Sequence, residues 1–325
     1  MHSRTFGKTG IPVSEVGLGT WQLGGDWGAV DEASAMAILT EASERGISFF
    51  DTADVYGRGT SEELIGRFLK KTGYNAFVAT KLGRLKGYPD DYSLQLFRCC
   101  VEDSLKRLGK ECIDLTQLHC IPRKHLQSGE VFGWLSELVS EGKIASYGAS
   151  VETVEEALIC MDNPQLASLQ IIFNIFRQNP LDDLFTKAKE KDVALIIRLP
   201  LASGLLAGKF TADSSFVASD HRSYNRDGEA FSVGETFSGL PFEKGVVLAE
   251  QIRPLVPDSM AMAQFALRWI LDHDQVSVVI PGGKNPDQVK MNASVSELDK
   301  LDQSVHQKLR AFFDLEVKGH IRGNC

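Results

Sequence analysis

The sequence predicts an α/β protein of the (β/α)8 barrel class, and three observations predict it. Eight short apolar runs alternate with stretches of helical periodicity along the chain. The 325 residues exceed the roughly 250 of a bare barrel by an N-terminal hairpin, one long loop and a C-terminal helix. Three successive apolar runs also end on a titratable residue: 47–50 on Asp51, 77–80 on Lys81, and 113–118 on His119. As parallel neighbours these strands bring Asp51, Lys81 and His119 to one rim, with Tyr56 in the loop after Asp51.

The elements follow in order. Residues 1–15 read as a hairpin around the turn Gly7-Lys8-Thr9-Gly10. A first core strand at 16–20 leads into a loop rich in glycine and tryptophan, Trp21-Gln22-Leu23-Gly24-Gly25-Asp26-Trp27-Gly28. A helix opens on Asp31-Glu32 and runs to about Arg45, where Gly46 stops it. Strand 47–50 precedes a helix near 61–70 that carries Leu64, Ile65, Phe68 and Leu69 on one face. Strand 77–80 precedes a helix near 93–108, with Phe97, Val101, Leu105 and Leu108 at helical spacing. Strands 113–118, 144–149 and 168–172 precede helices near 130–141, 152–161 and 181–191, and strand 193–199 follows. Helices near 243–253 and 259–272, strand 276–280, and helices near 286–296 and 298–312 complete a single domain, 1–325. The polar, glycine-containing segment 207–241 is too long for an ordinary connection. Lying after strand seven, it is expected to overhang the rim as a structureless lid. A doubly wound nucleotide-binding sheet is excluded: Gly17-x-Gly19 lacks the third glycine, Gln22 standing in its place, and no helix begins at once.

Composition narrows the function. A hydrophobic content of 43% with 24% charged residues is that of a globular chain. A net charge of −8 disfavours nucleic acid and anionic membrane as partners. Cys99, Cys100, Cys112, Cys120, Cys160 and Cys325 form no CxxC, and no histidine pair accompanies them. Neither a zinc site nor a disulfide framework is therefore expected, and the thiols read as reduced. With no apolar leader and no run of membrane-span length, the chain reads as soluble and cytoplasmic.

Asp51, Tyr56, Lys81 and His119 together suggest acid–base chemistry at a carbonyl. A phenol is a poor acid at neutral pH, its ordinary pKa being about 10. An adjacent ammonium favours the phenolate, and a carboxylate paired with that ammonium holds it in place. Tyr56 beside Lys81, with Asp51 behind, is thus a plausible general acid–base, and a neutral His119 can orient a carbonyl oxygen. Such a step needs a hydride that no side chain supplies and a nicotinamide does. Singly, each residue has an ordinary explanation: a loop cap, a rim aromatic, a solvated strand end, a core histidine. Their conjunction at the ends of strands two, three and four carries the chemical reading.

The residues around these four resemble the aldo-keto reductases. The resemblance rests on Asp51-Thr52-Ala53-x-x-Tyr56-Gly57 with Ser61-Glu62, on Thr80-Lys81, and on Asp114-Leu115…His119. It extends to Gly17-Leu18-Gly19-Thr20-Trp21, Gly142-Lys143-Ile144…Gly148-x-Ser150, Gly204-Leu205-Leu206-x-Gly208-Lys209 and Ile280-Pro281-Gly282…Asn292. It implies a (β/α)8 barrel and reversible reduction of aldehydes or ketones, with Tyr56 as proton donor, Lys81 and Asp51 tuning it, and His119 orienting the carbonyl. NADP(H) is implied ahead of NAD(H). Ser150 and Gln170 match the residues that hold the nicotinamide carboxamide, with Thr20, Trp21 and Asp51 bordering it. Val151 stands where the family has an asparagine. Arg198 stands where it usually offers an aromatic ring, and a planar guanidinium can stack in its place. Pro200, Leu201, Gly204, Leu206 and Lys209 match the pyrophosphate segment, with Arg222 adding charge. Pro281, Gly282, Lys284, Gln288 and Asn292 match the adenosine-phosphate segment, in which Asn285 and Gln288 replace frequent arginines. Trp21, Trp27, Tyr56, His119 and Tyr224 are the expected substrate contacts, with Cys120, Ile121, Pro122, Arg123, Phe216 and Arg226 nearby. The rim aromatics can stack on a small-molecule sugar or an apolar carbonyl compound, and they read equally as aromatics that pack the loops. A cofactor-sensing subunit, which would call for a long N-terminal extension, is the alternative within the family. A metal-dependent barrel aldolase or isomerase would need paired carboxylates or histidines at the strand ends.

Overall fold

In the computed structural model, which describes residues 1–25 and 31–324, the eight expected strands form one parallel sheet. They are Leu18–Gly19, Phe49–Asp51, Phe77–Leu82, Leu115–His119, Tyr147–Ser150, Ser168–Ile172, Ala194–Arg198 and Val276–Val279. Each pairs with its neighbour in the chain. Bridges from Val16 to Val279 and from Gly19 to Gly282 join the last strand to the first and close the ring. This is the (β/α)8 barrel.

Inside it the two-residue period of the strands sorts the side chains. Phe49, Phe77, Ala79, Leu115, Ala194, Ile196, Val278 and Ile280 form an inner apolar cluster. The N-terminal hairpin, Ser3–Thr5 paired with Pro12–Ser14, adds Phe6 and Val13 to it from below. Phe6 lies 5.6 Å from Phe49 and 5.1 Å from Phe77, ring to ring, and so plugs that end.

Helices wrap the outside for the reasons their sequences suggest. Thr60–Thr72 buries Leu64, Ile65 and Phe68, with Glu62 and Glu63 in its first turn, Lys70 and Lys71 in its last, and Gly73 left-handed at its end. Leu94–Leu108 is capped by the Ser93 side chain, and Val154–Cys160 by a Thr153/Glu156 capping box.

Three segments differ from expectation. A short helix, Arg123–Ser128, is too brief to show an apolar period. The last long helix is Gln303–Phe312, beginning after residue 298 because Asp302 caps it through the Ser304 N–H. The segment 207–241 is not structureless: it contains the helix His221–Tyr224 and the turns Val233–Glu235 and Phe237–Gly239. Several of its polar residues face inward: Asp220, His221, Asn225, Glu235, Thr236 and Ser238 are buried. Asn225 is fully buried, donates to Thr236 Oγ1 at 3.0 Å and accepts from the Ala230 and Phe231 N–H groups. Among the described residues no helix is long and apolar enough to cross a membrane. Trp27 lies outside the described residues.

Candidate active site

The site is assembled where strands two, three and four leave the core. Asp51 ends strand two, and the chain after it is tied to strand three: Thr52 N–H donates to Ala79 O (2.8 Å) and Asp54 N–H to Lys81 O (3.2 Å). The turn Tyr56–Gly59 follows, with Gly57 and Arg58 in left-handed backbone at φ 59° and 54°. Gly24 packs directly on it. A Cβ there would meet Gly57 N at 2.6 Å and the Tyr56 carbonyl carbon at 2.7 Å, so the glycine permits the approach that seats Tyr56.

Lys81 is fully buried and gives all its donors to this loop. Its Nζ reaches Asp51 Oδ1 at 2.6 Å, Thr52 O at 2.9 Å and the Tyr56 hydroxyl at 3.2 Å. The second oxygen of Asp51 accepts from Gln170 Nε2 at 2.7 Å and, more weakly, Gln117 Nε2 at 3.4 Å. Burial works against the ammonium of Lys81, but Asp51 and Tyr56 more than offset it, so the lysine stays charged. Burial also pushes the Tyr56 phenol up, and the downward pull of Lys81 does not cancel it. The sequence suggested the opposite direction from the lysine alone; the low dielectric of the rim outweighs it. Tyr56 therefore rests protonated.

His119 stands edge-on to Tyr56, ring centres 6.0 Å apart. Burial first, then the charges of Arg84, Lys81 and Arg198, hold its pKa well below the usual histidine value. It is neutral, and its Nδ1 is buried without a partner among the described residues.

Beside His119 lies a charged cluster of which the sequence singled out only Arg198. Arg84, just past strand three, bonds Glu235 through Nη1 (3.2 Å) and approaches Glu152 at 3.6 Å. Arg198 approaches Glu235 at 3.7 Å, donates to Val151 O at 3.1 Å and faces the Cys120 sulfur at 3.7 Å. Its guanidinium thus meets the carbonyl of the residue that stands in the asparagine position. Donor atoms of Cys120, Glu152 and Glu235 lie within 4.8 Å of one another, but two guanidinium groups share that space and repel a cation. Only the Lys81-Leu82-Gly83-Arg84 run hinted at Arg84. Glu152 and Glu235 sit in segments where an isolated carboxylate usually faces water.

A cavity of about 500 Å³ opens on these groups. Asp51, Tyr56, His119, Ser150, Gln170 and Arg198 line it, as do Thr20, Trp21 and Tyr224. Along it lie Pro200, Leu201, Gly204, Lys209 and Arg222, then Pro281, Gly282, Lys284, Gln288 and Asn292. Leu206 is buried in the core behind the wall. Trp21 stacks on Tyr56 at 6.0 Å and meets His221 at 4.7 Å. Arg222 is held by Asp220 in a two-point pair (2.9 and 2.6 Å) and lies 4.2 Å from the Phe216 ring. Lys284 stands 4.0 Å from the same carboxylate. Arg123 and Arg226 pair with Glu155 and Glu243 and take no part in the cavity.

The carboxylate–ammonium–phenol line sits at the C-terminal rim of a closed parallel barrel, among its βα loops. Residues 15–314 match the family model "Aldo/keto reductase family". The chain belongs to that family. The glycerol dehydrogenase of Gluconobacter oxydans is 31% identical, with a TM-score of 0.78 over 97% of this chain and 96% of that one. The holo form of an aldo-keto reductase from Bacillus halodurans is 27% identical, with a TM-score of 0.78 over 96% of each chain. A Schizosaccharomyces pombe aldo-keto reductase named for NADP(+) is 27% identical over 98% of this chain and 93% of its own length.

Proposed function

We propose that the protein interconverts a carbonyl compound and its alcohol with NADP(H), using Tyr56 as general acid–base. The observation that carries this reading is the line Asp51–Lys81–Tyr56, whose phenol end opens into a cavity beside a neutral histidine. In reduction, the Tyr56 hydroxyl gives its proton to the forming alkoxide, and Lys81 holds the phenolate left behind. In oxidation, that phenolate takes the proton back from the alcohol. His119, kept neutral, donates a hydrogen bond to the substrate oxygen and places it against Tyr56.

The donor set fits a dinucleotide. Gln170 commits its nitrogen to Asp51, leaving its oxygen to accept from a carboxamide, with the Ser150 hydroxyl alongside. Lys209, Arg222 and Lys284 put three cations along one cavity of an acidic protein, as a pyrophosphate and a further phosphate require. The name of the Schizosaccharomyces pombe relative agrees with this cofactor. A nicotinamide, when bound, supplies the hydride. Arg198 lies at the nicotinamide end, held by Val151 O and Glu235. Arg198→Ala is expected to weaken both cofactor affinity and hydride transfer; retention of both sinks that placement.

The test is fluorescence titration with NADPH and NADH, followed by a carbonyl panel. Tighter NADPH binding, with turnover lost and binding kept in Tyr56→Phe, is the expected result. Binding of neither nucleotide overturns the reading.

A further inference from the structure

We infer that Arg84 and Glu235 form the specificity wall of the substrate end, and that it selects small polyhydroxylated carbonyl compounds and their polyols. The inference rests on the oxidoreductase reading above and adds the substrate class to it.

Both residues line the same cavity as Tyr56 and His119. A chain of ring contacts places them at the reacting end: Tyr56 stacks on Trp21 (6.0 Å), Trp21 meets Phe231 (6.1 Å), and Phe231 lies 5.6 Å from the Arg84 guanidinium. Glu235 and Phe231 both come from the long segment after strand seven, so that segment completes the wall.

Its charge is balanced. Arg84 and Arg198 carry two positive charges and Glu152 and Glu235 two negative ones, which gives no net pull on an anionic substrate. Burial pushes the Glu235 pKa up, but Arg84 and Arg198 outweigh it and keep the carboxylate ionised. An ionised carboxylate offers about four acceptor positions and a guanidinium five donors. These positions are only partly used: one Arg84 nitrogen spans the two Glu235 oxygens at 3.2 and 3.4 Å, and Arg198 approaches Glu235 at 3.7 Å, beyond hydrogen-bond range. An apolar substrate would strip water from these groups and return nothing. A hydroxyl can donate to Glu235 and accept from Arg84 at once. Beside them, Trp21 and Phe231 offer flat apolar faces to the carbon chain.

The experiment measures kcat/KM for glyceraldehyde and propanal with NADPH in the natural protein, in Glu235→Gln and in Arg84→Met. The expected result is a glyceraldehyde-to-propanal ratio that falls about tenfold or more in each variant. The intrinsic reactivity of the two aldehydes cancels in that comparison. A ratio unchanged in folded variants overturns the inference. Should the variants not fold, inhibition of the natural protein by glycerol, propan-1-ol and glycerate decides. Glycerol tighter than propan-1-ol by about tenfold, with glycerate no tighter than glycerol, supports the wall; equal inhibition by the two alcohols, or preference for glycerate, overturns it. Propanal turnover without a hydroxyl preference fails this inference alone. Absence of nucleotide binding and of any turnover fails the oxidoreductase reading beneath it.

Discussion

The two ends of the barrel are made by the same strands and carry opposite chemistry. On strand two, Phe49 and Asp51 are two residues apart. The first joins the apolar plug with Phe6 and Phe77, and the second holds Lys81. Strand three passes from Phe77 through Ala79 to Lys81, and strand four from Leu115 through Gln117 to His119. Each inward step along a strand moves from hydrocarbon toward polar or charged groups. One end is closed by packing and the other is held by hydrogen bonds, so one serves stability and the other is the end at which chemistry is proposed.

Substitutions at the two ends should therefore separate in what they change. The largest effect is expected from Tyr56→Phe: turnover falls about 10²- to 10⁴-fold while NADPH titration and the urea midpoint stay as they were. Loss of nucleotide binding in that variant would break the comparison. Phe6→Ala should do the reverse. Opening the plug costs about 3–5 kcal/mol of stability with little change in kcat of the folded fraction, read by urea denaturation and by activity below the transition. A fall in kcat equal to that of Tyr56→Phe would show that the ends are coupled.

Gly24→Ala sharpens the same contrast from the loop side. The new Cβ would press on the Tyr56 backbone and displace the phenol, lowering kcat by up to about 100-fold, while cofactor affinity changes less. A kinetic constant within twofold of the natural protein would remove Gly24 from the positioning of Tyr56.

Acid should act on the upper end through His221, fully buried beneath Trp21. Burial lowers its pKa from 6.5 to about 4, so the unfolded chain takes up a proton first as pH falls. Its contribution is present above pH 6.5 and is lost progressively toward pH 4. Between pH 7 and pH 5 the loss is about 2 kcal/mol, and His221→Gln should flatten that slope in urea titrations at the two pH values. An unchanged slope would assign the acid sensitivity to another group. The smallest effect is expected from Lys284→Ala: NADPH affinity falls about tenfold and NADH affinity stays, measured by fluorescence. Equal losses for both nucleotides would take Lys284 away from the additional phosphate.

Much of this was legible in the chain because it is local. Apolar runs of strand length, the cap Asp31, and Gly46 at the end of the same helix announce themselves over a few residues. The strand ends at Asp51, Lys81 and His119 were visible because strands buried on both sides tolerate charge only where they leave the core. The helix His221–Tyr224 was hidden in a polar segment whose side chains bond each other, and nothing local sets Arg84, Glu152 and Glu235 apart from solvated loop charges, because their partners are distant in the chain.

By itself the sequence determined the order of strands and helices, the closed barrel that this order implies, and the side chains offered at its rim. The period of two along each strand and the local caps suffice for that. Only the tertiary structure decided which loop charges pair and in which direction the Tyr56 phenol is shifted. It also decided that the segment after strand seven, expected as a structureless overhang, has a fold of its own. Those outcomes depend on distances between residues far apart in the chain and on the water excluded when they meet. Lys81 pulls the Tyr56 phenol down in any context, and burial raises it only because the barrel closes around it.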